Sequence, residues 1–70
     1  MDEFLPKVAE ILEVDSVAPD FRFREIDEWD SLKGFSLIVL MEQDYGREMS
    51  VEEFLGCDTV GDLAKFAGVS

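Results

Sequence analysis

The residues with the clearest capacity for chemistry are Asp30 and Ser31, which end a polar segment and precede an apolar run that starts at Leu32. Either side chain could cap a helix by accepting a hydrogen bond from an unpaired backbone N–H. If Asp30 is the cap, Ser31 becomes the first helical residue and its hydroxyl is not needed for capping. A phosphate ester there would meet unpaired amides and the positive end of the helix dipole. The pattern therefore predicts that Asp30 holds the helix and that Ser31 is free for modification.

Other kinds of chemistry find little support in the sequence. The chain has no His and a single Cys, Cys57, so it offers no zinc ligand set, no nucleophile–base pair and no internal disulfide. The acidic residues do not follow the spacing of a calcium-binding loop. We therefore do not expect an enzyme, and we expect Cys57 to be a small buried apolar residue.

The elements that position Asp30 and Ser31 can be read from apolar periodicity and capping signals. A first helix is predicted over residues 2–14, with Asp2 as a candidate cap. Residues 15–30 form a long connection, which in so small a domain is either poorly ordered or functional. A second helix is predicted over residues 31–45 and ends at Gly46, which suits a left-handed conformation.

Two capping boxes mark the remaining helices. Ser50 with Glu53 opens a short third helix, and Thr59 with Asp62 opens the last helix. No stretch of the chain alternates with the period of a β-strand. The expected fold is therefore all-α, a small bundle of three longer helices and one short helix, formed as a single domain over residues 1–70.

The second helix is too apolar for a helix with one buried face. At about 100° per residue, one apolar set falls on the side assigned to the core and another set falls on a different side. The core set consists of Gly34, Leu37, Ile38, Met41 and Tyr45. The other set, the second stripe, consists of Leu32, Phe35 and Val39. Leu40 belongs to neither set. The pattern leaves two alternatives open: either the long loop covers the second stripe, or the stripe is a contact surface for a partner protein.

The net charge of the chain is −11. Such a charge repels nucleic acid and anionic membranes and favours partners with Lys/Arg patches. No apolar run approaches the roughly 20 residues needed to span a membrane, and the start of the chain lacks the features of a signal peptide. We therefore expect a cytoplasmic protein.

Several motifs together resemble the acyl carrier proteins, over nearly the whole chain. They are the Asp30-Ser31-Leu32 motif, the apolar residues of the second helix, the stretch LMEQDYG at residues 40–46 and the closing TVGDL at residues 59–63. The resemblance implies the four-helix fold of that family. It also implies that Ser31 carries 4′-phosphopantetheine, attached by a phosphopantetheinyl transferase that recognises Asp30.

The same resemblance implies a function. The protein would bear acyl intermediates as thioesters on the arm and shuttle them between enzymes of a fatty-acid, polyketide or related specialised pathway. Acyl-loading and acyl-processing enzymes with basic patches would be its partners, and a monomer is expected. The partner interface is expected to consist of Leu32, Phe35, Val39, Glu42, Asp44, Glu48, Glu52 and Glu53.

The form Trp-Asp-Ser-Leu is more similar to discrete carriers of specialised pathways than to the fatty-acid carrier, in which an acidic residue commonly stands where this chain has Lys33. An aminoacyl or hydroxyacyl carrier is an alternative. A cofactor-free acidic helical adaptor, binding through the second stripe, is another. Trp29 is expected to pack against the start of the second helix, and the alternative is that it shields the arm or its cargo.

Overall fold

Four α-helices and a short 3₁₀ turn make up the computed structural model, which describes residues 3–69. The elements are α1 at Phe4–Leu12, the 3₁₀ turn at Phe23–Glu25, α2 at Ser31–Tyr45, α3 at Val51–Leu55 and α4 at Val60–Ala67. These described residues contain no strand. The prediction of an all-α fold, with one short helix and a long connection after the first helix, is confirmed.

The first helix is shorter than predicted. It begins at Phe4, and Glu3 at its N-cap position makes no side-chain capping bond. Asp2, the candidate cap, lies outside the described residues. The helix ends at Leu12 because Glu13 adopts a left-handed conformation (φ 61°), so that its N–H donates to the Glu10 carbonyl and the N–H of Val14 donates to the Ala9 carbonyl. The prediction that the helix continues to residue 14 is therefore wrong.

The predicted boundaries of the second helix are confirmed. The Oδ1 atom of Asp30 accepts a hydrogen bond of 2.9 Å from the backbone N–H of Lys33, so Asp30 is the N-cap. At the other end Gly46 has φ 67° and donates its N–H to the carbonyl of Glu42 at 3.1 Å, and the N–H of Arg47 donates to the carbonyl of Met41 at 2.9 Å. Local chemistry at both ends thus fixes the helix that carries Ser31.

Both predicted capping boxes form. At α3, Ser50 Oγ accepts from the N–H of Glu53 at 3.1 Å, and the Glu53 carboxylate accepts from the N–H of Ser50 at 3.0 Å. At α4 the same reciprocal pair joins Thr59 and Asp62, at 3.2 and 3.1 Å. The backbone N–H of Asp58 adds a further bond of 2.9 Å to the Asp62 carboxylate.

The Asp62 capping box should make stability depend on pH in a specific direction. Backbone hydrogen bonds from Asp58 and Thr59 lower the pKa of Asp62 below its ordinary value of 3.8. A carboxyl whose pKa is lowered on folding stabilises the fold above its unfolded pKa, and this contribution is lost as the pH falls through the folded pKa. Thermal melts should therefore show Asp62→Asn less stable than wild type at neutral pH, with a difference that shrinks below about pH 4.

The matched control for this experiment is Asp20→Asn. It removes an exposed carboxylate that makes no hydrogen bond within the described residues. A difference between Asp62→Asn and wild type that stays constant at all pH values would contradict the capping role of the Asp62 charge.

The core is formed by apolar side chains from all four helices and from the loops. The largest fully buried side chains are Phe4, Val8, Leu12, Phe23, Leu37, Met41, Val60 and Leu63. Of the core set predicted on α2, Gly34, Leu37 and Met41 are buried, whereas Ile38 and Tyr45 are half-buried against the core. Cys57 is buried, as expected, and burial raises the pKa of its thiol.

Leu40, which the helical projection placed on neither side of α2, is buried. The core cluster that includes Leu40 also includes Met49, from the segment after α2. The core therefore extends around more of this helix than a single stripe, and the placement of Leu40 outside the core is wrong.

The long connection is tied to the start of α4. The carbonyl of Phe21 accepts from the N–H of Val60 at 2.9 Å, and the carbonyl of Pro19 accepts from the N–H of Gly61 at 2.7 Å. A Cβ atom at position 61 would lie 2.9 Å from the carbonyl oxygen of Pro19, so this close approach requires glycine. The loop is thus ordered, and its side chain Phe23 is fully buried.

Candidate functional site

Ser31 is an exposed residue at the N-terminal end of α2. Its side chain makes no hydrogen bond within the described residues, because the capping role belongs to Asp30. The structure therefore shows Asp30 as the cap and leaves the Ser31 hydroxyl unbonded among residues 3–69, while the modification of Ser31 stays a prediction. A free hydroxyl on a fixed helix start, beside the positive end of the helix dipole, is suited to carry a phosphate ester.

The basic residue closest in sequence to this hydroxyl is turned toward the end of α1. The Nζ atom of Lys33 lies 3.2 Å from the Glu13 carboxylate and 3.9 Å from that of Asp30. Only 12% of the Lys33 side chain is exposed. Because two carboxylates compensate its charge, Lys33 does not make the surroundings of Ser31 basic.

A groove of about 370 Å³ lies between α2 and α3, and Ser31 is one of its lining residues. Phe35, Ile38, Val51 and Leu55 form its apolar walls. Gly34, one turn after Ser31, lies at its base, where a Cβ atom would come within 3.2 Å of the Trp29 ring and 3.3 Å of the Phe54 ring. The absence of a side chain at Gly34 thus lets both rings approach α2 beside the hydroxyl.

An aromatic cluster supports this groove. The rings of Trp29 and Phe54 are stacked, with centroids 6.3 Å apart and an interplanar angle of 14°. Phe23 contacts both rings, at 5.7 and 5.4 Å. The expectation that Trp29 packs against the start of the second helix is confirmed, because its ring lies so near Gly34 that a Cβ atom there would be 3.2 Å from it. Trp29 also lines the groove, so the alternative that it shields the arm stays a prediction.

Arg24 joins the aromatic cluster to α3, a role that sequence reasoning missed. Its guanidinium lies 4.9 Å from the Phe23 ring centroid and 5.0 Å from that of Phe54. It donates a hydrogen bond to the Phe54 carbonyl and lies 3.7 Å from the Asp58 carboxylate. The position of the short α3 beside Ser31 therefore depends on a loop residue thirty positions earlier in the chain.

The second stripe is mostly exposed. Leu32 is 75% exposed and Phe35 is 64% exposed, whereas Val39 is half-buried. The alternative in which the long loop covers the stripe is therefore wrong for Leu32 and Phe35. Their role as a contact surface stays a prediction.

Two exposed apolar residues of α3, Val51 and Leu55, extend the apolar surface around the groove. Sequence analysis missed them. A signal for them exists, because they are one helical turn apart and the buried Phe54 faces the other way. Both residues line the groove together with Phe35.

The acidic residues expected at the interface are all exposed, but they are not equivalent. Asp44 forms an ion pair of 3.0 Å with Lys7 of α1, and this contact raises the pKa of Lys7. The carboxylate of Glu53 is engaged in the capping box of α3. The side chains of Glu42, Glu48 and Glu52 make no hydrogen bond or ion pair within the described residues. These three carboxylates are therefore the ones free to meet a basic partner.

Residues 3–69 contain no group of three His, Cys, Asp or Glu side chains placed to hold a metal ion. Within the same range, no helix has the length and apolar character needed to cross a membrane.

Comparison with known protein families gives a match over nearly the whole chain. A family model for the phosphopantetheine attachment site matches residues 2–67, a range that includes Ser31, the groove beside it and all four helices. No significant match is found among curated proteins or among solved structures.

Proposed function

The chain belongs to the phosphopantetheine attachment family, and on that premise we propose that Ser31 is the residue that carries the 4′-phosphopantetheine arm. Members of this family are non-catalytic carriers that hold this group covalently. The observation that carries the assignment to Ser31 is its exposed, unbonded hydroxyl at the start of α2, with the cap supplied by Asp30.

The residues around Ser31 fit such a group. The first-turn amides of a helix have no intrahelical partner, and the helix dipole favours an anion there. One of these amides, that of Lys33, is already bonded to Asp30, which keeps the helix start in place. The groove beside Ser31 offers apolar walls to the arm.

Carriers of this family interact with a phosphopantetheinyl transferase, which attaches the group from coenzyme A. In the proposed step, the Ser31 oxygen bonds to the phosphorus next to the pantetheine part of coenzyme A. The bond from that phosphorus to the nucleotide part breaks, and the hydroxyl proton is released. Once attached, the arm supplies a thiol that holds an acyl group as a thioester.

We assign the chain to a discrete carrier that shuttles acyl intermediates between enzymes of a fatty-acid, polyketide or related specialised pathway. Support comes from the Trp-Asp-Ser-Leu motif and from the presence of Lys33 where the fatty-acid carrier commonly has an acid. A single monomeric domain over residues 1–70 is part of this proposal. It is supported by the single apolar core that joins α1 to α4.

The proposed partner face combines apolar and acidic residues. Leu32, Phe35, Val51 and Leu55 are its exposed apolar part, and Val39 lies half-buried beside them. The acidic part consists of Glu42, Asp44, Glu48, Glu52 and Glu53. Basic patches on the partner enzymes would meet these acids in fast, weak and salt-sensitive encounters. Weak binding suits a shuttle, which must leave each enzyme.

Neutralising two free acids of this face should weaken transferase binding without unfolding the protein. Glu42→Gln with Glu52→Gln is the suitable double variant, because neither side chain has a partner within the described residues. We expect KM to rise about threefold at low ionic strength and the difference to vanish at high salt, since exposed charge pairs are each worth about 0.2–1 kcal/mol and are screened. The KM of the transferase is measured over a series of salt concentrations, and circular dichroism checks that the variant is folded.

The matched control is Glu10→Gln with Asp20→Asn, which removes the same charge from exposed positions outside the proposed face. If both double variants weaken binding equally, overall charge and not this face governs recognition. An effect that is independent of salt would also count against electrostatic recognition.

A further inference from the structure

A second groove, of about 440 Å³, lies between the end of α1 and the long loop. It has no lining residue in common with the groove beside Ser31. Its floor is apolar and consists of Leu12, Val14, Phe21 and Ile26. Leu12 is buried, but the other three are only half-buried. The floor therefore presents apolar surface that a ligand could cover.

The rim of this groove is acidic. It carries Glu13, Glu25, Asp27 and Glu28. Glu13 and Glu25 already have ion pairs within the chain, at 3.2 and 3.5 Å. The side chains of Asp27 and Glu28 make no hydrogen bond or ion pair within the described residues. The groove thus combines an apolar floor with two carboxylates that have no counter-ion of their own.

The backbone that shapes the groove is held in place. Phe21 donates its N–H to the carbonyl of Ala18 at 3.0 Å and accepts from the N–H of Val60 at 2.9 Å. The carbonyl of Ile26 accepts from the N–H of Trp29 at 3.3 Å. A ligand that enters a groove already fixed in shape does not have to order the loop, and this lowers the cost of binding.

We propose that this groove is a second docking surface for a partner protein, and that it binds a segment in which an apolar side chain is flanked by Lys or Arg. The apolar side chain covers the floor, and the basic groups reach Asp27 and Glu28. Charge complementarity selects this occupant, because a chain of net charge −11 repels nucleic acid and a second copy of itself.

Because the second groove is distinct from the groove beside Ser31, it can bind a different partner. The two grooves share no lining residue, so a segment bound in the second groove does not occupy the groove beside Ser31. Such a partner keeps the chain at a high local concentration near the enzymes that act on it. The surface is independent of whether Ser31 is modified.

The test uses a defined probe, a short amidated peptide with leucines on one helical face and arginines on the other. It is titrated into the isotopically labelled, unmodified full chain at physiological salt, and amide chemical shifts are followed. We expect the largest shift changes around Val14, Phe21 and Ile26. A peptide of the same charge, with serines in place of the leucines, should not bind.

Two double variants distinguish the effect of the groove's carboxylates on peptide binding from the effect of the net charge of the chain. Asp27→Asn with Glu28→Gln should weaken peptide binding roughly fivefold, whereas Glu3→Gln with Glu10→Gln, which removes the same charge outside this groove and outside the proposed partner face, should change it less than about twofold. All four residues are exposed, so folding is not at risk. Equal weakening by the two double variants overturns the proposal, as does equal binding of the serine peptide.

Other occupants give recognisable results. Shift changes centred on Leu32, Phe35 and Leu55 would place the peptide on the proposed partner face and overturn the proposal. Shifts that depend on protein concentration without peptide would indicate a second copy of the chain, and these also overturn it. Since the titration uses unmodified protein, a failure of Ser31 to accept phosphopantetheine would affect only the proposed function.

Discussion

Ser31→Ala is expected to abolish phosphopantetheine attachment while leaving the fold intact. The substitution removes the oxygen that forms the new bond to phosphorus, so no partial activity is expected. Folding should persist because Asp30 supplies the cap and the Ser31 side chain makes no hydrogen bond within the described residues. Intact-mass spectrometry after incubation with coenzyme A, Mg²⁺ and a broad-specificity transferase should show one added group on wild type and none on the variant.

Ser36→Ala is the matched control, since Ser36 is also an exposed serine of α2. It should be modified as wild type is. The assignment fails if Ser31→Ala still gains the group, or if wild type remains unmodified by several transferases. A loss of stability well above about 1 kcal/mol in Ser31→Ala would instead show that Ser31 is the structural cap.

The parts of the fold that depend on nearby residues could be predicted from the sequence. The N-cap at Asp30 and both capping boxes act over three residues, so the residue types at those spacings are sufficient. The same local chemistry separated the capping role of Asp30 from the free hydroxyl of Ser31. The end of α1 could not be predicted in this way. Glu13 and Val14 continue an acceptable helical pattern, but the backbone of Glu13 adopts a left-handed conformation.

The parts that depend on distant residues could not be predicted. Arg24 reaches the carbonyl of Phe54, and Pro19 meets the N–H of Gly61, yet no periodicity relates these positions. The groove beside Ser31 is shaped by such contacts, since its aromatic base joins the loop to α3. Sequence reasoning therefore predicted the unbonded hydroxyl of Ser31 and the apolar surface of α2, but not the opposite wall of the groove.

Phe54→Ala is expected to destabilise the protein by about 3–5 kcal/mol, the usual cost of truncating a buried aromatic ring. Phe54 is 6% exposed, and it stacks on Trp29 and contacts Phe23. The loss is large for this chain, because domains of such length have a total stability of roughly 4–10 kcal/mol. Thermal melts should show a large decrease in melting temperature, and α3 should be the first element affected because Phe54 is its buried residue.

Phe35→Ala is the matched comparison, since both rings line the same groove but Phe35 is 64% exposed. Because the ring is mostly exposed, it buries little apolar area in the folded state. We therefore expect this variant to cost less than about 1 kcal/mol of stability. It should nevertheless raise the transferase KM, because an aromatic anchor at an interface can contribute about 2 kcal/mol to binding. If Phe35→Ala lowers the melting temperature as much as Phe54→Ala does, Phe35 belongs to the core and cannot serve as a partner contact. If Phe35→Ala changes neither stability nor KM, the ring is exposed but the transferase does not use it, and the partner face must then be centred on other residues.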